Sequence, residues 1–373
     1  MRAALSTEQK AVLGELERFV VGRVEPAVAR PERPMPRESW HELVAELEQL
    51  GLAGCDDEPS GLAPWEGLCD ERPLGITLAT LTRLARACPA LGLVAHRRAL
   101  ARAVTRRARL EPSRAPELEP AGRHGLGREA LARALAGQPP SADDEALLAD
   151  VYAPRATRVV PLDPGFESLL TFAWIDGALM LRSHSRAELS MLERAHGHGL
   201  DELSLALVTA EGEGARSPLS PEASRALARD ALAAHALGLV ALALGASLGA
   251  HELARRYAAS RRQGGALIDR HPAVAGLLGA ASATHDTTRA ALETFDAEPL
   301  AEASLPRALS LRASLGPRLC DATNAAMQVL GGVGYMREAG VERLVRAQNG
   351  LRAQAGSPRE LRLVVAEWER LHA

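Results

Sequence analysis

The sequence predicts a mainly α chain with a small β domain set between two helical parts. Three observations carry this prediction. Helical periodicity runs through residues 6–50 and returns through 74–110. Period-two runs are confined to about 157–210. A single helical pattern then continues from Ser220 to about Gln263, longer than an isolated globular helix and suited to a bundle. The expected division is an N-terminal helical domain over 1–125, a reduced middle β domain over 126–218 and a C-terminal four-helix bundle over 219–373.

A chain of 373 residues is ample for a buried core, and 47% apolar with 24% charged residues is ordinary for a globular protein. The net charge of -3 comes without a sustained charge block, which gives no support to nucleic-acid or membrane-surface binding. Cys55, Cys69, Cys88 and Cys320 are scattered without C-x-x-C spacing, so neither a metal site nor a disulfide framework is expected. The expected compartment is reducing cytoplasm. The opening MRAALSTEQKAVLGELERFV becomes charged too early for a signal peptide. The apolar run Ala231–Ala250 is Ala- and Gly-rich, contains His235 and continues into charged helix, which marks a bundle helix rather than a membrane span.

Taken in order, Ser6 and Gln9 have capping-box spacing ahead of Val12, Leu16, Phe19 and Val20 on one helical face. Pro26, Pro31, Pro34 and Pro36 are expected to end that helix, and a second runs from Ser39 to Leu50 and closes at Gly51. Residues 111–127 read as a linker. Thr157–Leu162 is a β-type run, Leu169–Leu181 a hairpin turning at Asp176-Gly177, and Ser204–Ala210 a further strand. Trp174 reads as a buried structural residue. Ser220-Pro221-Glu222 has the cap residue, first-position proline and early acid of a helix start.

The most informative stretch is Asp321–Glu360. A helix through Ala325, Met327 and Leu330 breaks at Gly331-Gly332-Val333-Gly334, and an amphipathic segment resumes through Val341, Leu344 and Val345. Glycines stop a helix and, lacking Cβ, let a flat or phosphorylated ligand approach the backbone. Gln328-Val329-Leu330-Gly331-Gly332-Val333-Gly334-Tyr335, followed by Val341-Glu342-Arg343 and Arg346, resembles the C-terminal signature of acyl-CoA dehydrogenases, Q-x-x-G-G-x-G-Y and then E-R-x-x-R. Arg261-Arg262-Gln263-Gly264-Gly265 resembles that family's R-x-Q-F-G turn, and Gly51-Leu52-Ala53-Gly54 its L-G-L-x-G helix exit. The resemblance implies a helical domain, a middle β domain and a bundle assembled as a dimer or tetramer around FAD. It also implies that Arg261, Gln263, Gln328, Gly331 and Gly332 hold the ADP half of a FAD bound mainly to a neighbouring subunit.

The same resemblance shows what is missing. Desaturating an acyl-CoA needs a carboxylate to take the α proton, and family members place it before a Gly-Thr pair near the C-terminus. Counting from Arg346, that position is Ala355, before Gly356-Ser357. Members that carry the base on the long bundle helix would place it at or near His235, which is therefore the candidate for a histidine base; a buried polar residue bonding its neighbours is the simpler reading. Asp230 and Glu360 are turned to other faces. The family's C-x-T-E-P-x-x-G-S-D and W-x-T-N segments, which hold the flavin ring, are not recognisable in 126–218. A lost active site beside a retained contribution to a neighbour's cofactor implies a supporting subunit that completes the FAD site of a partner acyl-CoA dehydrogenase. Two alternatives stand: an active FAD-dependent oxidoreductase, either a dehydrogenase using His235 or a monooxygenase or oxidase on the same fold, and a structural descendant without cofactor. Acyl-CoA or an acyl-carrier thioester is the implied ligand class.

Overall fold

The computed structural model describes residues 6–29, 34–54, 63–69, 72–194, 197–296 and 298–373. Pro31 and Cys55, both read from the sequence, lie outside them. Helix α1 (Thr7–Phe19) starts at the expected box: the Gln9 amide donates to Ser6 Oγ at 3.1 Å and Ser6 N donates to Gln9 Oε1 at 3.0 Å. Such a cap stabilises a helix end by about 1 kcal/mol. The helix does not stop at Pro26. It widens into a π turn (Val20–Val24) and continues as α2 (Glu25–Val28), with Pro26 in the first turn, where a missing amide hydrogen costs little. Helix α3 (Arg37–Gln49) closes at Gly51, whose φ of 70° needs glycine.

The periodic stretch 74–110 is two helices, α4 (Thr77–Ala87) and α5 (Pro89–Ala108). Pro89 forces the break, because the residue before proline is driven out of the helical region and Cys88 adopts φ -141°, ψ 99°.

The middle part has two small sheets. Strands β1 (Pro116–Glu119), β3 (Ser168–Ile175), β4 (Ala178–Ser185) and β7 (Ala215–Arg216) form one in the order β1-β3-β4-β7; β2 (Arg158–Leu162), β6 (Ser204–Ala210) and β5 (Leu189–Arg194) form the other in the order β2-β6-β5. The β3–β4 hairpin turns at Asp176-Gly177 with φ of 52° and 76°, the positive pair that a tight primed turn demands. Val160, Leu162, Phe166, Leu169, Ala206 and Val208 pack together in this domain. Sequence reading missed β1, taken as linker and lying ahead of the expected boundary at 126, and also α6 (Arg128–Leu135) and α7 (Ala142–Val151). β1 pairs parallel with β3 and is buried along its length, so its glutamates hide the apolar signature of a strand.

The C-terminal part is built on α8 (Pro221–Ser260), capped by Ser220 as its sequence predicts. The hairpin β8–β9 (Arg262–Gln263 with Ala266–Leu267) follows, then α9 (Pro272–Asp296), α10 (Ser304–Leu330), 3-10 turns at Gly331–Tyr335 and Arg337–Ala339, α11 (Val341–Arg352) and α12 (Pro358–Leu371). Helix α8 is long and apolar enough to cross a membrane, but that stretch is buried by its neighbours α4, α5, α10 and α11. Glycines on both sides permit the closeness: a Cβ at Gly92 of α5 would stand 2.7 Å from Leu242 of α8, and one at Gly245 of α8 would overlap the Thr82 carbonyl of α4.

Candidate functional site

A cleft of about 920 Å³ opens where the β domain meets the turn between α11 and α12. Its walls are the loop after β1, the outer edge of β2, the 198–205 loop and residues 349–358. The α11–α12 turn is held from behind. Arg312, 4% exposed on α10, donates to the Leu351 carbonyl at 2.7 Å and the Gln354 carbonyl at 3.2 Å, satisfying acceptors that α11 leaves open at its C-terminus. Ala355 and Gly356 then take left-handed conformations with φ of 56° and 87°. Strain of this kind at a non-glycine residue costs about 1 kcal/mol and persists only where neighbours enforce it.

The other side of the turn is tied to the β domain. Glu360 on α12 accepts from Leu126 N at 2.6 Å and Gly127 N at 3.1 Å, just ahead of α6. A Cβ at Gly125 would overlap its carboxylate. Glu360 therefore borders the cleft with its charge already spent on amides. Further out, Arg346 binds Asp201 at 2.7 Å and Glu342 at 2.7 Å, joining α11 to the 198–205 loop.

The floor is charged. Glu119 at the end of β1 and Arg158 of β2 both face the cleft and are 7% and 4% exposed. Arg97 of α5 lies behind them, donating to the Pro161 carbonyl at 2.7 Å and standing 3.3 Å from Glu117 and 3.6 Å from Glu119. Burial pushes both glutamates up, partly offset by Arg97. Burial draws the Arg158 guanidinium down, and its Nε is buried without a hydrogen-bond partner. Alongside, Arg98 pairs with Asp163, which also accepts from Trp40 Nε1 at 2.7 Å. These buried pairs bind the helical domain to the sheets, and removing one partner of such a pair costs about 3–5 kcal/mol.

The sequence-predicted residues divide between the cleft and two other places. Ala355 lines the cleft, where a methyl group cannot accept a proton. His235 does not line it. It is 1% exposed between α5 and α8, its Nδ1 lying 3.0 Å from His96 Nε2, while Trp65 Nε1 donates to His96 Nδ1 at 3.0 Å. Burial and the nearby His96, Arg97 and Arg312 hold His235 well below the usual histidine range. Asp230 is also committed elsewhere, bound by Arg107 at 2.7 Å. Trp174 is buried in β3, its indole donating to Glu145 at 2.6 Å.

Arg261, Gln263, Gln328, Gly331 and Gly332 lie away from the cleft, at the end of the bundle where α8 and α10 finish. Tyr257, Ile268, Met327 and Leu330 belong to one apolar cluster there, which anchors both segments at that end. All of the predicted residues are exposed. The Arg261 guanidinium forms no ion pair with a described residue. Gly331 has φ 59°, and a Cβ at Gly331 or Gly332 would meet nothing within 4 Å. This open backbone, with an arginine that pairs with no described residue, suits the pyrophosphate and adenine side of a dinucleotide, by forked charge and by close approach.

Residues 225–369 match the acyl-CoA dehydrogenase C-terminal domain family. Among solved structures, the glutaryl-coenzyme A dehydrogenase glutaryl-CoA complex superposes with a TM-score of 0.70 at 15% identity, covering 100% of this chain and 97% of that one. Butyryl-CoA dehydrogenase from Megasphaera elsdenii gives 0.67 at 14%, covering 100% of each chain. PigA with FAD and proline gives 0.71 at 15%, again covering 100% of each.

The chain has the acyl-CoA dehydrogenase fold and carries that family's C-terminal domain.

No curated protein sequence matches it. With the acyl-CoA dehydrogenase fold in place, β1 gains a meaning that sequence reading missed. Glu119, which ends β1 and lines the cleft, is followed by Pro120, the Glu-Pro order of the C-x-T-E-P segment, although the residues around it have diverged. The Glu-Pro pair was the available signal. It lay hidden because it falls before residue 126, the boundary from which the middle domain was read.

Proposed function

We propose that this chain is a supporting subunit of an acyl-CoA dehydrogenase-like assembly, lending its bundle end to a FAD site completed by a partner subunit or a second copy. The observation that carries the reading is the separation of parts. Arg261, Gln263, Gln328, Gly331 and Gly332 stand exposed together at one end of the bundle, while the position for the catalytic carboxylate in the chain's own cleft holds Ala355. FAD would supply hydride chemistry there. This chain's part would be to place a permanent positive charge and bare backbone against the nucleotide half.

The interior supports the same reading. His235 cannot replace the missing carboxylate as a base, because neutral His96 must donate from Nε2 once Trp65 occupies its Nδ1. That fixes His235 with Nδ1 as acceptor and Nε2 carrying the hydrogen. A second reading is favoured by the cleft itself. Its volume of about 920 Å³ and its charged floor suit a flat polar ring, so an oxidase-type flavoprotein needing no carboxylate at Ala355 is the alternative.

An electron-acceptor assay over short, medium and branched acyl-CoAs tests the first reading. The supporting-subunit reading expects no turnover from the chain alone, since loss of a general base costs about 10² to 10⁴ in rate. Turnover of about 1 per second or more, within the usual enzyme range, overturns that reading, and stoichiometric FAD in the chain purified alone favours the alternative.

A further inference from the structure

Glu360 commits one carboxylate oxygen to the fold and keeps the other. Ser357-Pro358-Arg359-Glu360 has the spacing of a capping box at the start of α12, and half of it forms: Glu360 N donates to Ser357 Oγ at 3.2 Å. The Glu360 side chain does not fold back to complete the box. It crosses to the β domain, where Oε1 takes both the Leu126 and the Gly127 amides, at 2.6 and 3.1 Å. Oε2 has no hydrogen-bond partner among the described residues. It differs from Glu117 Oε2, which is also unpartnered but is sealed from solvent. Two glycines leave Glu360 Oε2 bare: a Cβ at Gly125 would overlap it, and one at Gly356 would stand 2.9 Å from it. Gly125, Gly356 and Glu360 all line the cleft. The other charges on the cleft wall are engaged. Arg123 pairs with Asp150, Arg158 donates to the Ala156 carbonyl at 3.1 Å and the Phe172 carbonyl at 3.3 Å, Glu119 stands 3.6 Å from Arg97, and Arg352 bonds the Cys320 side chain.

We propose that Glu360 Oε2 is the recognition point of the cleft, accepting an N–H from an ammonium, amidine or amino group carried by a flat ligand. This deepens the second reading above, and only its ring half rests on that reading. A charged acceptor makes a stronger hydrogen bond than a neutral one, and the two amides on Oε1 already hold the carboxylate, so little freedom is lost in aiming Oε2. Binding involves no covalent step, and the proton stays on the ligand nitrogen. The same geometry dictates what exchanging the acid for its amide does. In Glu360→Gln the side-chain carbonyl must stay on the Leu126 and Gly127 donors, because an NH2 group cannot accept from them. The NH2 therefore stands where Oε2 was, and an acceptor becomes a donor with the anchor intact.

Amide NMR of the full chain tests the site without a ring. The Leu126 and Gly127 signals, bonded to the other oxygen of the same carboxylate, should shift on titration with methylammonium and not with tetramethylammonium, which has no N–H. In Glu360→Gln, methylammonium should shift neither signal. Equal shifts from both ions, or none from either, overturn the proposal. Isothermal titration calorimetry with two flat probes reads the ring half. Proflavine, a tricyclic cation with amino N–H donors, should bind wild type about tenfold or more tighter than anthraquinone-2-sulfonate, whose oxygens only accept. Glu360→Gln should lose that preference or reverse it. A wild-type preference for the sulfonate, or a proflavine preference unchanged in Glu360→Gln, overturns the recognition role. If methylammonium shifts the amides as expected and neither ring binds, the Glu360 site stands and the second reading fails.

Discussion

His96 Nε2 lies 3.0 Å from His235 Nδ1, with the two rings stacked at 5.1 Å between centroids, so the residue in the helical base position is bonded to a second histidine in the core. Both must stay neutral. Burial and Arg97 lower His96 to about 3, and His235 is lowered by burial first and by His96 next. A depressed folded-state value means stability present above the unfolded histidine pKa and lost as pH falls through the window below it. Between about pH 6.5 and pH 5, His96 alone should cost about 2 kcal/mol of stability. Urea melts at pH 7 and pH 5 measure this, and His96→Gln should show a smaller acid loss than wild type.

Gly238 lies against the His96 ring, where a Cβ would overlap it. Gly238→Ala therefore sets a small propensity gain in α8 against overpacking in a filled core, and the overpacking should win by about 1–3 kcal/mol. Denaturant unfolding reads the difference. Gly276→Ala on the exposed face of α9, where nothing stands within 4 Å, should be neutral or stabilising.

Glu360 ties α12 to the entry of α6 through the Leu126 and Gly127 amides. Glu360→Ala should leave those donors without their charged acceptor and cost about 1.5–3 kcal/mol. Hydrogen exchange at Leu126 and Gly127 should quicken in the variant, while exchange in the core of α8 stays as slow as in wild type.

Much of the fold was legible because its signals are local. The Ser6 box, the Asp176-Gly177 turn, strand β6 and the Ser220 cap each depend on residues a few positions apart. What sequence reading missed depends on partners far along the chain. Strand β1 carries glutamates whose partners include the distant Arg97 and Asp163, so its polarity resembles a loop. Pro26 looked like a terminator because a π turn ahead of it has no sequence signature. At the bundle end, the glycine break after α10 and the turn after α8 are legible from motif spacing. Glu119, Arg158 and the burial of His235 needed the packing of α5 against β1 and α8.

The central claim is that this chain's bundle end serves a cofactor site completed by another subunit. The most direct measurement is the flavin content, by absorbance and protein concentration, of the chain purified alone and of its complex with an acyl-CoA dehydrogenase-like partner, each with and without Arg261→Ala. The account predicts little or no FAD in the chain alone, FAD retained in the complex, and its release by Arg261→Ala with the assembly intact, at a cost of about 1.5–3 kcal/mol for one charge-assisted bond. Stoichiometric FAD in the chain alone, or a complex whose FAD content ignores both Arg261→Ala and Gln328→Ala, would contradict it.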